Sequence, residues 1–137
     1  MATIFTRIIR GEIPCHRVHE DAHVFAFLDI APLAPGHVLV VPRQEVEFLH
    51  QLDEAHAAAL GAALPRVARA MLAATGATAY NLLQNNGALA HQAVPHVHMH
   101  LIPRFEDGRG LGIGWRSGQI DHAEAAALAA RMREFVA

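Results

Sequence analysis

Three histidines at alternate positions, His96, His98 and His100, stand in HQAVPHVHMHLIPR, residues 91–104. Imidazole serves as nucleophile, acid and base near neutral pH and also ligates metals. In a β-strand alternate side chains point to one face, so this spacing predicts a row of three imidazoles. Val97, Met99, Leu101 and Ile102 supply the branched and large apolar groups of a strand, and Pro103 ends the run. Two other readings stand beside catalysis. With 11 histidines in 137 residues, a chance cluster on a solvated strand is one. A zinc or copper site is the other, although a closed structural zinc site usually recruits four ligands.

The row has to be positioned by the elements around it. Ile4, Phe5, Ile8 and Ile9 have the spacing of a short amphipathic helix ending near Gly11. HRVHE and HVFAFLDI, on either side of Asp21-Ala22, predict two antiparallel strands up to Asp29-Ile30. APLAPG demands a loop, and Val38 to Val41 form a continuous apolar run, the mark of a strand covered on both faces. Asp53 caps a helix over 53–74 whose Leu60, Leu64, Val67 and Met71 recur at helical spacing, with Gly76 as its stop. Pro65 predicts either a kink or two helices. Residues 79–85, AYNLLQN, make a fourth strand that leads through NNGALAHQAVP to the histidines. FEDGRGLGIGWRSGQ has five glycines but neither the Gly-Lys-Ser/Thr of a P-loop nor its strand and helix, so it reads as a mobile loop anchored by Trp115. Asp121 and Glu124 then open a last helix, with Ala125, Leu128, Met132 and Phe135 on one face.

Composition narrows the function classes. A hydrophobic content of 53% argues against disorder, and a formal net charge of −2 gives no reason to expect nucleic acid as a partner. Cys15 is the only cysteine, so no internal disulfide forms, which suits a reducing cytoplasm; it reads as structural or incidental. MATIFTRIIRGEIP lacks the apolar core of a signal peptide, and no stretch reads as long enough to span a bilayer. These features predict a soluble cytoplasmic protein of one domain, residues 1–137, with 105–137 as an extension.

The triplet followed by two apolar residues, preceded by Gln92 and by Asn85-Asn86-Gly87, resembles the histidine-triad (HIT) superfamily of nucleotide hydrolases and transferases. IFTRIIRGEIP resembles that family's N-terminal signature, and the resemblance runs in order from there to LIPR. It implies an α+β fold with a mostly antiparallel sheet of about five strands, two main helices and a homodimer. Part of the family carries a structural zinc on two cysteines, where this chain has Thr3 and Thr6, and on a histidine, where it has Glu45; those differences imply that the zinc is missing. No cofactor and no metal are implied.

By the same resemblance His98 is the nucleophile that attacks an α-phosphorus and forms a nucleotidyl-histidine. His100 contacts the phosphate and supplies or relays the leaving group's proton, His96 positions its neighbours, and His37 orients the catalytic imidazoles. Asp29 binds ribose hydroxyls, while Ile30, Phe5, Ile8, Ile13 and Phe27 line the base pocket; simple core packing for the five, and turn capping for Asp29, are the alternatives. Asn85, Gln92 and the Ala93 N–H hold phosphate oxygens. Relatives usually have glycine at the position of His91, which has no assignable role, and serine or threonine at Ala93, so a hydroxyl donor is lost. The implied activity is that of a purine nucleoside phosphoramidase. A dinucleoside polyphosphate hydrolase, a nucleotidyltransferase and a nucleotide-binding or partner-binding module with residual catalysis are the alternatives, and the full triplet speaks against the transferase branch.

Overall fold

A computed structural model describes residues 1–136; Ala137, the last residue of the expected domain, lies outside the described residues. The order is α1 (Ile4–Ile9), β1 (Arg17–Glu20), β2 (Val24–Leu28), β3 (Val38–Pro42), α2 (Glu54–Thr75), β4 (Ala79–Leu83), β5 (Met99–Arg104) and α3 (His122–Phe135). The five strands form one antiparallel sheet in the order β1-β2-β3-β5-β4.

Strand alternation divides the sheet into two apolar faces. Val24, Ala26, Val38, Val40, Val97 and Leu101 pack with Leu60, Val67 and Met71 of α2. Phe25, Phe27, Leu39 and Val41 point the other way and pack with Phe5 and Ile8 of α1. The apolar run at 38–41 is therefore covered on both sides, and each side chain so buried contributes roughly 1.5–3 kcal/mol. Because Val97, Met99 and Leu101 lie on the α2 side, His96, His98 and His100 share the α1 side.

Local chemistry sets the boundaries. Asp21 Oδ1 accepts from the N–H groups of His23 and Val24, closing the β1–β2 turn. Asp53 caps α2, accepting from His56 N–H at 2.7 Å, and Gly76 ends it at φ 75°. Residues 54–75 run as one α-helix through Pro65, so the helix is not divided there. Gly36, at φ 92°, turns the chain into β3; a Cβ there would run into the Thr75 side chain.

Four expectations need correction. β4 ends at Leu83 rather than Asn85, because Gln84 and Asn86 exchange side-chain hydrogen bonds beyond it. Regular β5 begins at Met99: β3 ends in Pro42, which has no N–H to donate, and its carbonyl is taken by the His96 ring. Trp115 is exposed and anchors nothing, and α3 buries none of its residues, with Leu128 and Met132 more than half exposed. Finally, α2 is long and apolar enough to cross a membrane, with a mean hydropathy of 1.3, although here it packs against β2, β3 and β5.

Candidate active site

His98 sits against the edge of the Phe5 ring, their centroids 4.9 Å apart, and is 6% exposed. Its Nδ1–H donates to the His96 carbonyl at 2.7 Å. That bond fixes the tautomer and leaves the Nε2 lone pair free, as a nucleophile requires. Burial pushes the His98 pKa below its ordinary value, so the ring is neutral at pH 7.

His96 is fully buried and holds the carbonyl that holds His98. Its Nε2–H donates to Pro42 O at 2.8 Å, standing in for a rung of the sheet, and its Nδ1 accepts from the Thr3 hydroxyl at 2.8 Å. Thr3 also caps α1, accepting from Thr6 N–H. The Thr3 N–H and the Thr6 hydroxyl both donate to Glu45 Oε1 at 2.7 Å, and these bonds lower the Glu45 pKa to about 2. Thr3, Thr6 and Glu45, the three positions at which the resemblance implied a missing zinc, are thus joined to His96 by hydrogen bonds. Two protonated hydroxyls, an exposed carboxylate and one imidazole already hydrogen-bonded on both nitrogens do not fit a structural zinc site.

A second chain of contacts fixes His100. Leu33 N–H donates to His37 Nδ1 at 3.1 Å, so His37 carries its proton on Nε2. That N–H donates to His100 Nδ1 at 2.9 Å, which leaves His100 with an Nε2–H donor. Burial first, then the neighbouring His98 and His37, lower the His100 pKa to about 4; burial also lowers that of His37, against the pull of Asp29. Asp29 lies 3.5 Å from His37 Nε2 through Oδ2, while Oδ1 accepts from Ala31 N–H, so the turn-capping alternative for Asp29 holds too. Asp29, His37 and His100 bring one possible metal-ligating atom each within 4.8 Å of the others. The two imidazole nitrogens are already committed to each other, so a cation there would break the chain that sets the His100 tautomer.

Two cavities meet at the histidines. One, of about 300 Å³, is apolar and lined by Ile4, Phe5, Ile8, Ile13, Pro14, Cys15, Phe27, Ile30, Leu39 and Val94, with Asp29, Ala93, His98 and His100 at its edge. The other, of about 260 Å³, is more polar and shares Asp29, Ala93, His98 and His100 with the first, adding His37, Asn85 and His91. A larger cavity of about 530 Å³ runs past Arg10, Arg17 and Phe25, away from the triad. All the expected base-pocket residues thus reach the apolar cavity, and Asn85 reaches the polar one. Gln92 reaches neither: its side-chain carbonyl accepts from Gly87 N–H at 2.7 Å, and its amide donates to Glu47 O and Val94 O. The sequence reading missed Ile4, Pro14, Cys15, Leu39 and Val94 as lining, and Thr3 and Leu33 as hydrogen-bonding partners. Leu39 alone carried a usable signal, its alternation with Val38 and Val40.

The family model described as HIT domain matches residues 10–107. The chain belongs to the HIT family. Its HIT sequence is 43% identical to the adenosine 5'-monophosphoramidase hnt1 of Schizosaccharomyces pombe over 128 residues, 93% of each chain. It is 41% identical over 103 residues to the adenylylsulfatase HINT3 of Arabidopsis thaliana, covering 75% of this chain and 52% of that one. Among solved structures, a member of the HIT family from Bacillus subtilis superposes with a TM-score of 0.94 at 35% identity, covering 100% of this chain and 99% of that one. This HIT fold, with its five-stranded antiparallel sheet and two main helices, is that of the structural neighbour.

Proposed function

We propose that this HIT protein is a nucleotide hydrolase that releases a nucleoside monophosphate from phosphoramidates through a nucleotidyl-His98 intermediate. The observation that carries the reading is the His98 Nδ1–His96 O bond, which leaves Nε2 as the attacking atom on a residue shared by both cavities. The apolar cavity takes the purine base, Asp29 the ribose hydroxyls, and the polar cavity the leaving group. The 43% identical monophosphoramidase favours a phosphorus–nitrogen bond over a dinucleoside polyphosphate.

In the first step the His98 Nε2 lone pair forms a bond to phosphorus while the bond from phosphorus to the leaving nitrogen breaks. The nitrogen departs with that electron pair and takes a proton from water in the polar cavity. His100 Nε2–H steadies a phosphoryl oxygen and donates no proton outright: losing it would need a second proton on Nδ1, and His37 has only the one it shares. In the second step the oxygen of a water adds to phosphorus, the bond to His98 breaks, and the water's proton returns to solvent. His96 and His37 position His98 and His100.

The test is turnover of adenosine 5'-phosphoramidate and of a diadenosine polyphosphate with a chelator present. Release of adenosine monophosphate from the phosphoramidate, with kcat/KM falling by a factor on the order of 10³ or more in His98→Ala, is the expected result. Preferred turnover of the dinucleotide would move the reading to that hydrolase, and nucleotide binding without turnover would sink it.

Residues 1–137 serve as one HIT domain with 105–137 as its extension, in a cytoplasmic homodimer that uses neither nucleic acid nor membrane as a partner. The open β4 edge, with Tyr80 and Leu82 exposed, and the uncovered apolar face of α3 support pairing with a second copy. Sedimentation equilibrium giving a monomer at micromolar concentration would overturn it.

A further inference from the structure

The apolar cavity lies between two others. With the polar cavity it shares Asp29, Ala93, His98 and His100; with the large cavity of about 530 Å³ it shares a different set, Ile8, Ile13, Pro14 and Cys15. A nucleotide with its phosphate at the histidines and its ribose at Asp29 therefore has the far end of its base against Ile13, Pro14 and Cys15. In a purine the sugar is carried on the five-membered ring, so the end facing that wall is the six-membered ring with its exocyclic group. Pro14 is exposed and Cys15 half-buried, which makes the wall a rim at the surface and not a part of the core.

Across the rim the chemistry changes. The large cavity is lined by Arg10, Arg17 and Glu20 as well as by the Phe25 ring, whose centre lies 5.8 Å from the Arg43 guanidinium. Glu20 accepts from Arg17 through Oε1 and from Arg43 through Oε2, the latter at 2.8 Å, so one carboxylate serves two guanidinium groups. Arg10, just past the end of α1, has no carboxylate partner among the described residues. The cleft thus holds more positive than negative charge, unlike the two cavities beside the histidines, and the proposed reaction uses neither Arg10 nor Arg17.

We propose that this cleft is a binding subsite for an anion borne on the base itself, so that the protein accepts purine nucleotides carrying a carboxylate on a short arm from the six-membered ring. The inference rests on the hydrolase reading for the direction in which the nucleotide lies, and adds a substrate class to it. A guanidinium suits this anion because its planar fork pairs with both carboxylate oxygens at once. Arg10 contributes most, since it gives up no existing ion pair. An unmodified base leaves the cleft unused, so the subsite selects among nucleotides without being needed for turnover.

The readout is the dissociation constant, by titration calorimetry, of adenosine monophosphate carrying a 2-carboxyethyl group on its exocyclic nitrogen and of the neutral 2-carbamoylethyl counterpart, which has nearly the same shape. The native protein is expected to bind the carboxylate about fivefold more tightly at about 0.02 M salt, and the preference should shrink to about twofold at about 0.3 M because the cleft is open to water. Arg10→Gln should remove most of it and Arg17→Gln a smaller part, while both variants turn over unmodified adenosine 5'-phosphoramidate as the native protein does. Equal affinities in the native protein, or a preference that survives Arg10→Gln and Arg17→Gln combined, would overturn the proposal and leave the hydrolase reading intact. Absence of phosphoramidate turnover with the preference in place would strike that reading alone.

Discussion

His37 never meets the phosphorus in the proposed reaction, yet it decides which nitrogen of His100 carries a proton. Replacing it by leucine fills a similar volume and removes the donor, so His100 is free to adopt either tautomer. His37→Leu is expected to lower kcat by about 10- to 100-fold with a smaller effect on KM. Nitrogen chemical shifts of the His100 ring should at the same time show a mixture where the native protein shows one form; unchanged kcat would refute the positioning role. The histidine triplet was legible because alternation on a strand is written in side chains. Its tautomers were not, because they are set by the Leu33 amide and by the carbonyls of His96 and Pro42, groups that every residue type offers. Gln92 illustrates the same limit: its carboxamide suits a phosphate chemically, but the folded loop needs both ends of it.

Among the elements, α1 depends on one hydroxyl for two purposes. Thr3 Oγ1 accepts from Thr6 N–H as the helix cap and donates to His96 Nδ1. Thr3→Val keeps the shape and loses both, at a cost of about 1–2 kcal/mol, whereas Thr3→Ser retains them. Thermal denaturation should show a lowered midpoint for the valine variant alone, and its kcat should fall as well because the displaced His96 carries the carbonyl for His98. Equal midpoints for valine and serine would show that the hydroxyl holds nothing. The helices and the succession of strands along the chain were legible from periodicity and caps, α2 most clearly from Asp53, its repeating apolar positions and Gly76. The start of β5 was not. Its ladder stops at the Val40–Met99 pair because a ring nitrogen, not an amide, reaches Pro42, and no pattern of apolar residues encodes that substitution.

Over the whole molecule, four buried or half-buried imidazoles are held neutral, His37, His96, His98 and His100. Their pKa values are lower in the folded than in the unfolded chain, so the unfolded chain binds more protons as the pH drops. The stability they protect is whole above about pH 6.5 and is lost progressively below it. For His100, lowered to about 4, the loss is complete near that pH and is of order 2–3 kcal/mol. Glu45 adds a second loss below about pH 4.5, since its carboxylate is held ionised down to about pH 2 by hydrogen bonds that protonation breaks. Urea titrations between pH 8 and 4 should show a falling midpoint that steepens below 6.5; a midpoint constant to pH 5 would contradict the neutral histidine assignments. At this scale family resemblance implied a mostly antiparallel sheet, but the strand order β1-β2-β3-β5-β4 was not legible in the sequence, because pairing partners distant in sequence leave no local mark.

The absence of cationic side chains around the two cavities also bears on how a nucleotide arrives. All eleven basic side chains of the chain are arginines, and none borders either cavity. With a net charge of −2, the protein presents no long-range attractive field to a polyanion, so encounter is diffusive and unsteered. Raising the ionic strength from about 0.01 to 0.3 M shortens the screening length several-fold, yet kcat/KM for the phosphoramidate should change by less than about twofold. A steep decline with added salt would reveal a guiding charge, most directly one brought by a second subunit.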